Sequence, residues 1–182
     1  MTLSITSAPQ GRPAAAQFNL RRPRIADGQS VNALVAACPP LDKNSLYLTL
    51  LQCTHFAETC VLAERSDTSG TIAGFVSGYL VPNDPTTLFI WQVAIAERAR
   101  RRGLALLMLN ELLRRAVCRE VRQVQTTITP SNAGSWALFR ALGATLQCAF
   151  EQQVMFDRDL HLDGTHESEI LVTIGPFAPR RI

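Results

Sequence analysis

The stretch LFIWQVAIAERARRRGLA, residues 88–105, decides how this chain folds. From Leu88 to Ile95 it is apolar and rich in β-branched and aromatic residues, the composition of a buried strand. A short polar turn follows, and Arg100-Arg101-Arg102-Gly103-Leu104-Ala105 opens an amphipathic helix. The first N–H groups of a helix have no partner inside it, and the helix dipole is positive at that end. A strand, a basic turn with a glycine and a helix start together make an anion site. Gly103 has no Cβ, so a phosphate can approach its backbone closely. The order of parts predicts a turn that holds the diphosphate of a nucleotide-like cofactor. The plainer alternative is a solvated Arg cluster at an ordinary corner, and the order weighs against it. No G-x-G-x-x-G follows a strand and no G-x-x-x-x-G-K-[ST] occurs. A dinucleotide fold and a nucleotide-hydrolysing loop are therefore unsupported.

Working outward, 182 residues suit one domain with a real core. Residues 1–20 are rich in Ala, Pro, Ser and Gln without periodicity and read as a flexible tail before a single domain over 21–182. Apolar residues are 47% and charged residues 18%, a globular balance. The net charge of +3 is too small to argue for nucleic acid, and no basic helix with interleaved aromatics accompanies the Arg cluster. No apolar run approaches the roughly 20 residues of a membrane span, and no signal-like stretch opens the chain. Five scattered cysteines suit reduced thiols and a cytoplasmic setting. Cys53-Thr54-His55 with Cys60 lacks a paired C-x-x-C and is read as structural, so no metal is expected.

The element pattern is legible from end to end. A short strand is expected over 22–26, then a helix capped by Asp27 and running to about Ala37. A second helix, capped by Asn44 or Ser45, runs to about His55. Strands over 59–65 and 72–81 form a hairpin, and residues 82–85 break the chain before the 88–95 strand. The Gly103 helix runs to about Cys118, followed by a strand over 121–129. Pro130-Ser131-Asn132 caps a helix that ends at Gly143. Strands over 145–156 and 168–175 flank a polar loop. The expected product is an α/β fold, a mixed sheet with helices on both faces.

Arg100-x-x-Gly103-x-Ala105, placed after the fourth strand, resembles the [R/Q]-x-x-G-x-[G/A] signature of the GNAT superfamily of N-acetyltransferases. The resemblance implies the GNAT fold, a mostly antiparallel sheet of about six or seven strands flanked by about four helices, with the fourth and fifth strands splayed. It implies acetyl-CoA as co-substrate, held by Val93, Ala94 and Ile95 on the strand, by Arg100, Arg101, Arg102, Gly103, Leu104 and Ala105 at the turn, and by Asn132. Longer words resemble one family within that superfamily, the L-2,4-diaminobutyrate acetyltransferases of ectoine biosynthesis. They include Pro39-Pro40-Leu41-Asp42-Lys43-Asn44-Ser45, Cys53-Thr54-His55-Phe56, Gly74-Phe75-Val76-Ser77-Gly78-Tyr79, Phe89-Ile90-Trp91-Gln92-Val93-Ala94 and Thr127-Ile128-Thr129-Pro130-Ser131-Asn132. That resemblance implies acetylation of the 4-amino group of L-2,4-diaminobutyrate, and a homodimer.

Such a substrate carries two amines and a carboxylate, so its site should offer carboxylates. Asp42, in a Pro-bounded loop, is a candidate amine binder, with helix capping as its alternative. Tyr47 would line the same pocket or pack at the surface. Trp91 would wall the aliphatic chain or face an ammonium, against simple core packing. By strand alternation, Phe89, Trp91 and Val93 should share one face, and Ile90, Gln92 and Ala94 the other. On resemblance, His166 and Glu169 contact the amine. Many GNAT enzymes carry a proton-donating tyrosine on the helix after Asn132. Phe139 stands at that position here, so no general acid or base is assigned. Two other readings stay open: an acetyltransferase for another small amine, and a non-catalytic acyl-CoA-binding module.

Overall fold

The structure is a computed structural model, and it describes residues 17–67 and 70–178. One seven-stranded sheet organises it: β1 (Phe18–Arg21), β2 (Val61–Arg65), β3 (Ile72–Val81), β4 (Asp84–Ile95), β5 (Gln123–Ile128), β6 (Phe150–Phe156) and β7 (Glu169–Ile174). Their spatial order is β1-β2-β3-β4-β5-β7-β6. β4 and β5 are parallel and every other pair is antiparallel. Among the described residues five helices flank the sheet: α1 (Gly28–Ala36), α2 (Leu46–Gln52), α3 (Leu104–Leu112), α4 (Ala133–Leu146) and the four-residue α5 (Arg158–His161). The main core lies on the face covered by α3 and α4, where Leu88, Ile90, Met108, Leu112, Val124, Phe139 and Leu142 pack together. A smaller core under α1 joins Val31, Val35, Cys38, Cys53, Cys60, Leu62, Phe75 and Ala94. All five cysteines are free thiols. Among the described residues no helix is long and apolar enough to cross a membrane.

Several local expectations are corrected. The first strand is Phe18–Arg21, not 22–26, so the last residues of the expected tail belong to the sheet; residues 1–16 lie outside those described. Phe18 is buried, and Arg21 pairs with Asp27 at 2.7 Å and Glu64 at 2.5 Å. Asp27, held this way and accepting from the Arg24 N–H, closes a short 3-10 turn and makes no side-chain cap for α1. The break expected at 82–85 is a tight turn at Pro82-Asn83, with Asn83 at φ 65, so β4 starts at Asp84. α3 stops at Leu112 rather than near Cys118, and a separate 3-10 turn spans Ala116–Cys118. Gly143 does not end α4. It is buried inside the helix, where a Cβ would make ordinary contacts with Phe150 at 3.5 Å and Ile174 at 3.6 Å, and the helix ends instead at Gln147 in the left-handed conformation. β6 accordingly begins at Phe150 rather than Thr145.

The most consequential correction concerns β4. Ser77 pairs with Gln92 and Gly78 with Ile90, which leaves Trp91 as the extra residue of a β-bulge. The alternation therefore slips. Ile90 and Val93 both pack on the main core, while Ala94 faces the smaller one, so Ile90 and Ala94 do not share a face. Gly78 is required opposite the bulge, because a Cβ there would come within 2.7 Å of the Phe89 carbonyl oxygen.

Candidate active site

β4 and β5 pair only at Thr87–Gln123, Leu88–Val124 and Phe89–Gln125. Beyond Phe89 they part: β4 continues on β3 to Ile95, and β5 continues on β7 to Ile128. The β5-facing edge of residues 90–95 is thus left without a ladder partner from β5. Buried backbone groups need partners, so an extended ligand arm laid in this opening could take them up. The cleft measures about 140 Å³, and its walls include Trp91, Gln92, Val93, Thr127, Asn132, Phe139, Asp42 and Glu169.

At one end of the opening stands the basic turn. Gly103 is the N-cap of α3 at φ 72, and Arg101 also lies at positive φ, 58. The first amides of α3 point out of the helix start, since the first intrahelical bond runs from the Leu107 N–H to the Gly103 carbonyl at 3.0 Å. Arg100, Arg101 and Arg102 are exposed around them. The Arg100 Nε–H donates to the Ile95 carbonyl at 3.1 Å, which ties the turn to the end of β4. Leu104 is buried and anchors the helix, and Ala105 sits half-buried in its first turn. Unpartnered amides, positive charge and an open backbone fit a diphosphate.

At the other end the cleft is acidic. Among the described residues, Asp42 and Glu169 are the only ionisable side chains in its walls. Burial is the main cause holding the Glu169 carboxyl above the usual carboxylate range; the hydrogen bond from Thr127 and the charge of His166 oppose the shift, while the neighbouring Asp42 and Glu167 charges add to it. Trp91, pushed out by the bulge, is 45% exposed and meets Tyr79 edge-on at 6.2 Å, while Tyr79 stacks on Phe89 at 5.2 Å. A larger groove of about 400 Å³ lies between the end of α4 and β6, lined by Arg140, Cys148 and Phe150 among others. Among the described residues no carboxylate lines it, and its one charged group is the cation of Arg140.

The structure therefore gathers Asp42, Trp91, Glu169, Val93 and Asn132 at one opening. Asn132 also caps α4, accepting from the Ser135 N–H at 3.1 Å. Ala94 faces away from the cleft into the smaller core, so any part it takes is through its backbone. Ile95 packs its side chain on the main core. Tyr47 is 72% exposed on the first turn of α2 and is not among the cleft walls. His166 is exposed and reaches Glu169 only through its field. Phe139 is buried and lines the cleft, where a phenyl ring has no proton to give. Sequence reasoning gave no role to Tyr79 or Thr127, nor to the side chain of Gln92. The signal for Gln92 is visible: it is the one polar residue inside the apolar run FIWQVAI.

A sheet splayed between parallel strands above a basic, glycine-bearing helix start defines an acyl-CoA-dependent acetyltransferase, and the chain belongs to the acetyltransferase (GNAT) family, whose model matches residues 29–144. Its relatives are narrower than that. L-2,4-diaminobutyric acid acetyltransferase of Methylotuvimicrobium alcaliphilum is 48% identical over 160 residues, 88% of this chain and 91% of the relative. That of Halomonas elongata is 42% identical over 98% of this chain and 91% of its own. Among solved structures, diaminobutyrate acetyltransferase EctA from Paenibacillus lautus, in complex with L-2,4-diaminobutyric acid and coenzyme A, superposes with a TM-score of 0.84 at 38% identity, covering 91% of this chain and 99% of that one.

Proposed function

We propose that this chain transfers the acetyl group of acetyl-CoA to the 4-amino group of L-2,4-diaminobutyrate, giving N4-acetyl-2,4-diaminobutyrate, the acetylation step of ectoine biosynthesis. The observation that carries the reading is the acidic end of the cleft. Among the described residues two carboxylates and no cation line it, in a chain similar along most of its length to an enzyme with that amine bound.

The chemistry follows from the groups present. An alkylammonium has an unperturbed pKa of about 10.4 and must lose a proton before it can attack. Glu169, with its raised pKa, is the proton acceptor, directly or through one water. Asp42 stays as the counter-charge that holds the second ammonium, and Trp91 walls the methylene chain. The free nitrogen attacks the thioester carbonyl carbon, the C–N bond forms and the C–S bond breaks. Backbone N–H groups on the open edge of β4, near Gln92 to Ile95, stabilise the developing oxyanion. CoA leaves as its thiolate, which a thiol with a pKa near 8.5 can do without a donor at Phe139. The turn at Arg100, Arg101, Arg102, Gly103, Leu104 and Ala105 holds the diphosphate.

An amine panel tests the substrate. Asp42→Asn should raise KM for diaminobutyrate by about 10–100-fold, the size of a lost charge-assisted contact, and leave KM for acetyl-CoA unchanged. An unchanged amine KM would place the acceptor pocket elsewhere. Good turnover of another amine with none of diaminobutyrate would select the alternative acetyltransferase. Tight acetyl-CoA binding with no turnover across the panel would select the binding module.

The chain also works as a homodimer in this reading. β6 is the sheet edge, and Val154, Met155 and Phe156 on it are 57%, 42% and 41% exposed, with Leu160 beyond at 82%. An apolar edge strand left bare invites pairing. Sedimentation should give the mass of two chains, and Val154→Lys should shift it towards one. A single-chain mass for the unsubstituted protein would refute this.

A further inference from the structure

The loop that carries Asp42, residues 38–45, crosses from α1 to α2 with little backbone pairing of its own. Its turn is closed by the Leu41 N–H donating to the Cys38 carbonyl at 3.0 Å. Side chains hold the carbonyls of Asp42, Asn44 and Ser45. The Gln92 Nε2–H donates to the Asp42 carbonyl at 3.0 Å, and the Gln92 Oε1 accepts from the Asn44 Nδ2–H at 2.6 Å. From α1, the Asn32 Nδ2–H donates to the Asn44 carbonyl at 3.0 Å and to the Thr49 hydroxyl at 3.1 Å. Thr49 in turn donates to the Ser45 carbonyl at 3.3 Å. Gln92 is only 6% exposed and Thr49 is fully buried, while Asn32 and Asn44 are half-buried, so these bonds are partly shielded from competing water.

The arrangement has a direction. Gln92 follows the bulged Trp91 on β4, and the bulge is what turns it away from the main core and towards the loop. One side chain thereby ties the strand at which the acetyl group is delivered to the backbone of the residue that holds the amine. We propose that Asn32, Asn44 and Gln92 form a positioning chain that fixes the Asp42 loop against β4, and so sets where the amine is held relative to Glu169 and the open strand edge. The inference rests on the acetyltransferase reading above and assigns to it three positioning residues, none of them a catalytic residue. Loss of a link lets Asp42 wander. The amine is then bound more weakly, while the acetyl-CoA turn, at the far end of the cleft, is untouched.

The test is a kinetic split with a double-mutant cycle. Asn44→Ala, which removes the donor to Gln92 without entering the cleft wall, should raise KM for diaminobutyrate by about tenfold, the fold-change of one buried hydrogen bond. KM for acetyl-CoA should stay within about twofold. In an Asp42→Asn background the same substitution should add less than about threefold, because the carboxylate it positions is gone. Asn32→Ala, on α1 and outside the cleft, should show the same split, and it replaces Asn44→Ala should that variant not fold. Full multiplication of the Asp42→Asn and Asn44→Ala effects would overturn the proposal. So would a fall in Tm with both Michaelis constants unchanged, or an equal rise in both, since any of these marks a merely structural bond. Failure of the unsubstituted protein to acetylate diaminobutyrate would remove the diaminobutyrate reading and this proposal with it. Normal turnover with an unmoved amine KM in Asn44→Ala removes the proposal alone.

Discussion

Replacing Glu169 with glutamine is expected to lower kcat by about 10²–10⁴-fold, the usual worth of a positioned general base. Glutamine keeps the size and the hydrogen-bonding end but cannot take a proton at neutral pH. The pH dependence should change with it. Burial is the first cause that raises the Glu169 pKa, so the acid limb of kcat should lie above the range of an ordinary glutamate and disappear in the variant. Stability should move the opposite way. A carboxyl whose folded pKa is raised contributes its stability below its unfolded pKa and loses it as pH rises through the folded value. At pH 7–8, above the unfolded pKa, burying Glu169 therefore costs stability that a neutral glutamine does not, and Glu169→Gln should melt at a higher temperature than the unsubstituted protein. Below about pH 4 both forms are neutral and the difference should close. A variant that loses little activity, or keeps the acid limb, would show that another group takes the proton.

At the other end of the cleft, Gly103→Glu is expected to raise KM for acetyl-CoA by about 10–100-fold with little effect on the amine. Two causes act together. Gly103 sits at φ 72, where a side chain with a Cβ is strained by about 1–2 kcal/mol. The new carboxylate also stands among the free amides that open α3, against a diphosphate, and like charges at close range cost several kcal/mol. Space alone is no obstacle, because nothing lies within 4 Å of a Cβ built there. Gly103→Asn separates the causes, since asparagine tolerates the left-handed conformation and brings no charge. It should raise that KM by less than about tenfold. Equal effects from both variants would mean that backbone strain, not charge, governs the site.

The parts of the fold that sequence made legible are those written locally. The apolar run ending at Ile95, the Arg turn and Gly103 occur in one stretch, and the structure places them in that order. Features made by contacts between distant residues were not legible. The bulge at Trp91 is one extra residue in a ladder, and it needs Gly78 on β3 to exist, so the alternation of β4 alone misassigned its faces. Gly143 has the residue type of a helix stop, yet it is buried within the helix, which runs on to Leu146 and closes at Gln147. β1 was hidden because its pairing with β2 and the Arg21–Asp27–Glu64 cluster reach across the chain. The same holds in the site. Asp42 and Glu169 are 127 positions apart in the sequence, and their shared cleft comes from the parting of β4 and β5.

The central claim is that the acidic end of this cleft receives L-2,4-diaminobutyrate and presents its 4-amino group to acetyl-CoA. The direct measurement is a turnover assay with both substrates, with the product's acetylation site read by NMR. CoA release that depends on diaminobutyrate, with the acetyl group on the 4-nitrogen alone, is the predicted result. No turnover of this amine, or acetylation at the 2-nitrogen, would contradict it.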